Sequence, residues 1–335
     1  MVVAGHDRDA ATWRGRPCLV TGGAGFGGAH LCAALLAQDA SVFVVDRVLP
    51  RTSYLHLAGI ADKVELLFAD VRDLEAMQLW LERFEIKTVF HLAAQPIVPI
   101  SVTAPLETLS NNALGTYTLL EAARRSPFVE SFVLASTGAY YGTTHGDEPI
   151  AEETAPLPAA SLYGASKVAA DIAARCYAET YGLNVGVCRF INTYGPGDTN
   201  FSRLIPRAVR NLICGEPYAF GDRDDGSTRL DYMHVSDMTQ GYLAVAERAA
   251  EHRGQVFNFG TGVLHSTAEV AEAVSLAYDG QTRTPLFEGR ARVRPVVKRL
   301  DVSQAHDKLD WSAHYDLASG LRDTVSWYKE HWERL

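Results

Sequence analysis

Thr21-Gly-Gly-Ala-Gly-Phe-Gly-Gly28 is the stretch that decides the fold. It separates a short apolar run from an Ala- and Leu-rich run over 28–38, so it joins a predicted buried strand to a predicted helix. Gly22, Gly25 and Gly28 are spaced three apart, which allows a tight turn and a close approach of the backbone to a pyrophosphate. The free N–H groups at the start of the helix would point toward such a phosphate.

Strands and helices are predicted to alternate over the first 190 residues. Short apolar runs predict strands at 17–21, 41–45, 64–68, 88–92, 131–135 and 184–188. Periodicity and Ala-rich composition predict helices at 28–38, 73–84, 112–125 and 161–181. Strands that are apolar throughout belong to a parallel sheet covered on both faces. We therefore predict an α/β fold, a Rossmann-type doubly wound parallel sheet, which binds ligands beyond the carboxyl ends of its strands.

A carboxylate follows the second predicted strand. Asp46 lies 18 residues beyond Gly28, where it is expected to accept hydrogen bonds from the adenosine ribose of a dinucleotide. A carboxylate there repels a 2′-phosphate and favours NAD over NADP, although Arg47 beside it keeps NADP open. Asp70 and Val71 end the third strand and are expected to meet the adenine. The alternative for both carboxylates is a turn or N-cap role.

The composition narrows the function classes. The chain has 335 residues, 47% hydrophobic and 21% charged, which excludes a disordered chain and a coiled coil. A net charge of −9 argues against a nucleic-acid partner. No run of 18 apolar residues and no apolar signal-peptide core occurs, so no membrane partner and a cytoplasmic location are expected. The five Cys form no C-x-x-C pair and the eleven His show no ligand spacing, so we expect free thiols and no metal.

A Tyr–Lys pair supplies candidate acid–base chemistry. Tyr163 and Lys167 stand four residues apart near the start of the predicted helix at 161–181, and so share a face. Tyr titrates near 10, so the Lys ammonium and the positive nicotinamide ring of NAD⁺ are expected to favour its phenolate as a base. Ser136 and Thr137 end the fifth strand, where a hydroxyl can reach the same substrate oxygen. The alternatives are a surface Tyr–Lys pair and a strand-end cap.

Several further motifs accompany these. In order along the chain the set is Thr21–Gly28, Asp46, Asp70, His91-Leu-Ala-Ala-Gln95, Asn112, Ser136-Thr137, Tyr163–Lys167, Arg189–Gly197, Asn258-Phe-Gly-Thr-Gly262 and Gly320–Tyr328. Taken together the set resembles the extended short-chain dehydrogenase/reductases, in particular their NAD-dependent nucleotide-sugar epimerase/dehydratase group. The resemblance covers about residues 16–330. The pattern of strands and helices along the chain predicts a NAD-binding Rossmann domain at 15–192, after a flexible leader at 1–14. Residues 193–335 would be mainly a smaller, irregular substrate-binding lobe, interleaved with that domain.

The resemblance implies a role for each site residue. Thr137, Tyr163 and Lys167 would be catalytic, with Tyr163 taking the proton of the C4 hydroxyl. NAD would be held by Gly22, Gly25, Phe26, Gly28, Asp46, Arg47, Asp70, Val71, Leu92, Ala93, Ala94, Gln95, Asn112, Tyr163 and Lys167. A nucleotide-diphosphate sugar would be held by Gln95, Ser101, Thr137, Asn192, Asn200, Arg207, Arg229 and Arg294. A homodimer would form through helices at about 105–125 and 161–181.

The residues after Thr137 bear on which reaction follows C4 oxidation. The family's 4,6-dehydratases carry Asp-Glu or Asp-Lys there, whereas Gly138 and Ala139 cannot transfer protons. This favours a 4-epimerase with NAD as hydride carrier. The alternatives are a 4,6-dehydratase, a C4 ketoreductase or dehydrogenase, and a non-catalytic NAD(H) sensor. Residues 91–98 and 197–206 resemble the CDP-glucose 4,6-dehydratase branch, which keeps the dehydratase open.

A second departure concerns the substrate diphosphate. The family usually places Arg immediately before the Asp of Ser227-Thr-Arg-Leu-Asp-Tyr232, but here Leu230 takes that place and Arg229 comes one residue earlier. Either the loop shifts so that Arg229 reaches the phosphate, or this contact is lost. Arg203 and Arg207 would then compensate, or be solvated on a helix.

Overall fold

The central sheet has seven parallel strands in doubly wound order. The computed structural model describes residues 12–156, 161–291 and 293–335. In these ranges the strands are β1 (Pro17–Thr21), β2 (Ser41–Asp46), β3 (Glu65–Phe68), β4 (Thr88–His91), β5 (Ser131–Thr137), β6 (Val185–Phe190), β7 (Thr193–Tyr194), β8 (Arg229–Asp231), β9 (Met233–His234), β10 (Val256–Phe259), β11 (Leu264–Ser266) and β12 (Val297–Lys298). The order of the central sheet is β10-β6-β5-β4-β1-β2-β3. Its winding reverses between β1 and β4, where sheets of this kind bind ligands. The predicted fold class is confirmed.

Helices cover both faces of this sheet. They are α1 (Phe26–Leu36), α2 (Tyr54–Leu57), α3 (Leu74–Arg83), α4 (Val98–Thr103), α5 (Pro105–Leu109), α6 (Gly115–Arg125), α7 (Leu162–Tyr181), α8 (Leu204–Cys214), α9 (Val235–Glu247), α10 (Thr267–Asp279), α11 (Ser303–Leu309) and α12 (Leu317–His331). Side chains alternate along β1: Cys18 and Val20 join the core under α1 and α9, whereas Leu19 joins the core under α3, α6 and α7. Burial on both faces explains why these strands are apolar throughout.

Most predicted element boundaries lie within two residues of the observed ones, and the start of α6 differs by three. A π-helical turn over Ser110–Leu114 precedes α6, so α6 begins three residues after the predicted helix start. In addition, β10 pairs with β6 and α9 packs on β5 and β6. Both elements come from the segment after residue 192, so the predicted substrate lobe contributes to the first domain.

The predicted leader is packed at its end. Residues 1–11 lie outside the described residues. Trp13, however, is buried, with its ring 6.0 Å from that of Phe90, and its indole N–H donates to Glu247 at 2.7 Å. The prediction of a flexible segment is therefore wrong for Trp13, because a large aromatic ring gains apolar burial against the sheet.

A second lobe stands over the carboxyl ends of the strands. It contains the three-stranded sheet β11-β8-β12, the two-stranded sheet β7-β9, and the helices α8, α10 and α12. Its core is formed by apolar side chains such as Val209, Val274 and Tyr328. Within the described ranges, no helix combines the length and the apolar character needed to cross a membrane.

Candidate active site

One large cavity lies at the carboxyl ends of the central strands, between the sheet and the second lobe. Its volume is about 1010 Å³, at the upper end of the range for small-molecule sites. Predicted site residues that line it are Gly22, Gly25, Phe26, Gly28, Asp46, Arg47, Asp70, Val71, Leu92, Ala93, Ala94, Thr137, Tyr163, Lys167 and Asn192. The parallel sheet brings these residues together because the carboxyl ends of its strands meet at one edge.

The glycine-rich turn has the geometry of a dinucleotide site. Gly22 has φ +71°, and a Cβ there would lie 2.7 Å from the amide nitrogen of Ala93. A Cβ on Gly28 would lie 2.2 Å from the carbonyl oxygen of Gly22, so only glycine lets α1 pack on the turn. Gly25 is the N-cap of α1 and provides no side-chain cap, which leaves the first amides of the helix open toward the cavity. These features fit the pyrophosphate of NAD.

Two carboxylates follow at the ends of β2 and β3. Asp46 accepts hydrogen bonds from the backbone amides of Ala24 at 3.1 Å and Arg47 at 2.8 Å, and burial raises its pKa. Asp70 is held by Arg72 at 2.8 and 2.6 Å, and this bidentate contact lowers its pKa. Both carboxylates line the cavity. Each carboxylate therefore makes local hydrogen bonds in its turn and also lines the cavity. The predicted turn role and the predicted ligand-binding role are compatible.

The Tyr–Lys pair and Thr137 converge in the cavity. Lys167 Nζ donates to the carbonyl oxygen of Ala135 at 2.8 Å, and burial lowers the Lys167 pKa to about 8. Burial raises the pKa of Tyr163, whereas the Thr137 hydroxyl and the Arg203 charge lower it. The protein's own groups therefore raise the Tyr163 pKa overall, whereas the Tyr–Lys pair in the sequence predicts a lowered pKa. The Arg203 charge is one of the groups that oppose the effect of burial on the Tyr163 pKa.

A buried ion pair fixes the catalytic helix, and the sequence analysis missed it. Arg189 on β6 donates from Nε and Nη2 to Asp171 on α7, at 2.9 Å each. Asp171 also accepts from Ser136 Oγ on β5 at 2.7 Å, and Arg189 donates to the Tyr141 hydroxyl at 2.7 Å. The network joins α7, β5 and β6 one turn away from Lys167. The sequence does contain one indication of this network, because Arg189 is a charged residue within the otherwise apolar strand β6.

A second buried network holds the chain after β4. His91 contacts the hydroxyls of Thr21 at 2.7 Å and Thr116 at 3.0 Å, and burial lowers its pKa to about 3, so the ring is neutral. Asn112 Oδ1 accepts from the Gln95 amide at 2.7 Å, and Asn112 Nδ2 donates to Ser166 Oγ at 2.9 Å. The structure thus places Asn112 between the β4 loop and the catalytic helix, rather than against the cofactor as predicted.

Two other predicted residues beside this loop are engaged locally. The Gln95 amide group donates to Thr108 Oγ1 at 2.9 Å and accepts from the Ile97 amide at 2.5 Å. Ser101 is fully buried and donates to the carbonyl of Val98 at 2.6 Å. Neither side chain is among the described residues that line the cavity. In this structure both side chains are engaged by neighbouring groups, and a substrate contact of Gln95 or Ser101 stays a prediction.

The predicted phosphate-binding arginines also lie elsewhere. Arg229 pairs with Asp147 at 3.1 Å, and it is Leu230 that lines the cavity, because successive side chains of β8 point to opposite faces. Arg207 donates to the carbonyl of Phe220 at 3.0 Å, and Arg294 is exposed. The loop shift that would bring Arg229 to the cavity does not occur.

Asn200 is likewise engaged in a local turn. Its Oδ1 accepts from the amide of Ser202 at 3.1 Å and from its hydroxyl at 2.6 Å. The cavity instead contains two arginines from the second lobe, Arg203 and Arg223. Arg203 precedes α8 and pairs with the buried Asp198 at 3.0 Å. Arg223 lies in an irregular Gly- and Asp-rich loop, where no sequence pattern indicates which side chains face a ligand.

The doubly wound sheet, the glycine-rich turn and the Tyr–Lys pair define a Rossmann-type dehydrogenase/reductase site. The model of the NAD-dependent epimerase/dehydratase family matches residues 18–260, and the chain belongs to this family. It is accordingly an enzyme, and NAD is its cofactor.

Relatives of two kinds resemble the chain. A UDP-glucose 4-epimerase of Mycolicibacterium smegmatis is 34% identical, over 93% of this chain and 98% of the relative. A dTDP-glucose 4,6-dehydratase of the same organism is 30% identical, over 94% and 95%. The solved UDP-glucose 4-epimerase of Thermotoga maritima with UDP-glucose superposes with a TM-score of 0.84 at 28% identity, over 94% of this chain and 99% of that one. Because both reactions occur at similar identity, the choice between them depends on the site.

Proposed function

We propose that the protein is a nucleotide-sugar 4-epimerase. The observation that carries the proposal is the turn after Thr137, where Gly138 is buried and Ala139 ends in a methyl group. Elimination of water from a 4-keto sugar needs an acid and a base beside C5 and C6. Gly138 and Ala139 supply neither. Inversion at C4 needs only that the keto sugar turn over and be reduced on its other face.

The next two side chains do not replace the missing acid and base. Tyr140 and Tyr141 are buried, and the guanidinium of Arg189 lies 3.4 Å from the ring centroid of Tyr140. The Tyr141 hydroxyl donates to Asn258 at 2.8 Å, and burial raises its pKa to about 12. Both rings are therefore fixed in the core. Proton transfer at the sugar is left to Tyr163.

The chain's own residues have distinct roles at C4. Bound NAD supplies the redox chemistry that converts the C4 alcohol to a ketone and back. Tyr163, as the phenolate, accepts the proton of the C4 hydroxyl, and the phenol so formed returns this proton after reduction. The Thr137 hydroxyl lines the same cavity, lowers the pKa of Tyr163 and orients the same oxygen. Lys167 is held in place by the carbonyl of Ala135, and it would add positive charge at the site where the nicotinamide ribose binds.

The second lobe is suited to a nucleotide diphosphate. Leu230 leaves an apolar surface where the resemblance implies an arginine, and Arg203 and Arg223 bring positive charge to the same cavity. The pairing of Arg203 with buried Asp198 fixes the direction of its guanidinium, which has further N–H groups for a phosphate. We infer that Arg203 and Arg223 hold the diphosphate of the substrate.

Proton NMR in D₂O tests the reaction. UDP-, CDP-, dTDP- and GDP-hexoses and hexuronic acids are incubated with the enzyme without added cofactor. A C4 epimer with no new methyl signal and no deuterium uptake is expected, because the same hydrogen returns to C4. Tyr163→Phe should abolish turnover, whereas Tyr181→Phe, an exposed position on the same helix, should not.

The other outcomes identify the alternatives. A C6 methyl signal with deuterium at C5 would overturn the epimerase and establish a 4,6-dehydratase, the activity named for one of the three relatives above. Turnover only with added NAD(P)H would establish a ketoreductase. No turnover with any substrate, together with unchanged NAD binding in Tyr163→Phe, would favour a sensor.

We also propose a homodimer in the cytoplasm. Large apolar side chains are exposed on α6 and α7, among them Tyr117, Ile172 and Tyr181 at 37%, 42% and 56%. The described cysteines are free thiols, as in a reducing compartment. Light scattering after size exclusion should give twice the chain mass of 36.6 kDa. A monomer at micromolar concentration would contradict the dimer.

A further inference from the structure

Lys298 places an ammonium against the turn that follows Thr137. It is the last residue of β12, and its Nζ donates to the carbonyl oxygens of Gly138, at 3.2 Å, and of Gly142. Gly138 begins the 3₁₀ turn Gly138–Tyr141 and Gly142 immediately follows it. A single side chain of the second lobe therefore holds both ends of a turn of the first domain.

This turn is in contact with the catalytic groups. Thr137 Oγ1 accepts from the amide of Ala139 at 3.2 Å and so caps the turn. Thr137 and Tyr163 both line the cavity, and the Thr137 hydroxyl lowers the pKa of Tyr163. Lys298, the turn and Thr137 thus form a continuous series of hydrogen bonds, and this series ends at the hydroxyl that lowers the Tyr163 pKa. A displacement of the turn at Gly138 would move the Thr137 hydroxyl.

The segment that ends in Lys298 also lines the cavity. Val296 lines it, and so does Leu230, the residue of β8 that pairs with Lys298. Side chains two apart in an extended segment share a face, so Lys298 and Val296 project to the same side. The amide of Val297 donates to the carbonyl of Thr144 at 3.0 Å, which joins the segment to the loop after the turn. A substrate seated against Val296 and Leu230 therefore contacts the strand that holds the turn.

The burial of Lys298 disfavours its charge. Burial lowers its pKa to about 8, and both acceptors of its hydrogen bonds are peptide carbonyls rather than carboxylates. Burying an ammonium without a counter-charge is unfavourable for folding. Unfavourable groups that persist in native proteins cluster at functional sites.

We propose that Lys298 is a positioning residue: its ammonium fixes the turn after Thr137 and couples this turn to the substrate-lining segment of the second lobe. The inference rests on the proposed use of Thr137 and Tyr163 at C4. It holds for an epimerase and for a dehydratase alike, because both reactions begin with oxidation at C4.

Three substitutions separate hydrogen bonding from charge. Lys298→Arg keeps both, Lys298→Gln keeps a donor without the charge, and Lys298→Met keeps neither. Lys308→Met is the matched control, because Lys308 Nζ donates to Gln255 at 2.8 Å away from the cavity lining. Each full-length protein is loaded with NAD, and its NAD content and melting temperature are measured before kinetics.

The expected result is a loss of kcat with little change in KM. A displacement near 1 Å at a catalytic group costs on the order of 100-fold in rate, so Lys298→Met should lose about 10- to 100-fold in kcat. Its KM should stay within about threefold, because no binding group is removed. Lys298→Arg and Lys298→Gln should restore most of kcat. Lys308→Met should match the unmodified protein.

A readout without sugar separates this inference from the proposed function. The ultraviolet absorbance change of Tyr163 on ionisation is obtained by subtracting the titration of a matched Tyr163→Phe protein. Loss of the Thr137 contact in Lys298→Met should raise the Tyr163 pKa, and Lys298→Gln should not. An unchanged Tyr163 titration in Lys298→Met would overturn the inference even if no sugar is turned over. Unchanged kcat in Lys298→Met, or equal losses in Lys298→Met and Lys298→Gln, would also overturn it.

Discussion

Replacing Asp171 by asparagine should destabilise the protein and slow catalysis together. The Asp171 carboxylate accepts two hydrogen bonds at 2.9 Å from Arg189 and one at 2.7 Å from Ser136. The side chains of Asp171 and Arg189 are both 0% exposed, so the substitution leaves a buried guanidinium without its counter-charge. Removal of one partner of a buried ion pair costs about 3–5 kcal/mol.

This loss converts to a moderate fall in melting temperature. Unfolding entropy is about 2.1 cal/mol/K per residue, so a chain of 335 residues gains about 0.7 kcal/mol/K at its midpoint. Each kcal/mol then lowers the melting temperature by about 1.4 °C, and Asp171→Asn should lower it by about 4–7 °C. Circular dichroism of the NAD-loaded protein measures the shift. The kcat should fall as well, because Ser136 adjoins Thr137 and Asp171 lies on the helix of Lys167.

A double variant tests the electrostatic reasoning. Asp171→Leu with Arg189→Met removes both charges and keeps apolar volume, which is often neutral for stability. The double variant should therefore recover at least half of the stability lost in Asp171→Asn. A fall below about 1 °C in Asp171→Asn, or an equal or larger fall in the double variant, would refute the reasoning.

Three further predictions concern the ligands and pH. Arg203→Gln should raise the substrate KM about tenfold in a steady-state assay, which corresponds to a loss of about 1.4 kcal/mol in binding. Arg229 lies on the outer face of β8, so Arg229→Gln should leave KM unchanged in the same assay. Gly28→Ala, whose Cβ would lie 2.2 Å from a carbonyl oxygen, should lower the NAD content of the purified protein, as read by absorbance after denaturation. The Lys298 pKa is about 8 in the folded protein against 10.5 for an ordinary lysine, so between these values the unfolded chain binds more protons and stability rises with pH. In urea titrations, the free energy of unfolding relative to Lys298→Met should therefore rise from about pH 8 to about pH 10, and a fall would contradict the assignment.

The first domain was largely predictable because its signals are local. A buried parallel strand must be apolar on both faces, and the glycine-rich turn must be free of Cβ atoms at Gly22 and Gly28. The positions of Asp46, Tyr163 and Lys167 then follow from where strands end and helices begin. Each of these features depends on a few adjacent residues, so one sequence is enough to read them.

The supporting contacts were less accessible to sequence reasoning. Asn112 and Gln95 are polar residues near the ligand cavity, which made direct contact the natural expectation. In the fold, Asn112 and Gln95 hydrogen-bond to each other. Asn112 also donates to Ser166 and Gln95 to Thr108, and the bonded residues are 13 to 54 positions apart in the chain. Whether a polar side chain faces a ligand or a neighbouring loop depends on tertiary packing that no local pattern encodes.

The second lobe shows why Arg229 lies away from the cavity, whereas Arg203, expected to compensate for it, lines the cavity. Along β8 a shift of one residue moves a side chain from one face of the sheet to the other. Arg229 therefore meets Asp147 on the outer face, and Leu230 meets the cavity. Positive charge still reaches the cavity, but from Arg203 before α8 and from Arg223 in an irregular loop. The expected arginine before Asp231 is absent from the sequence, because Leu230 occupies that position. In the fold, positive charge reaches the cavity from arginines on other elements. The diphosphate that we propose for this cavity requires positive charge there, but it does not require that this charge come from one particular strand.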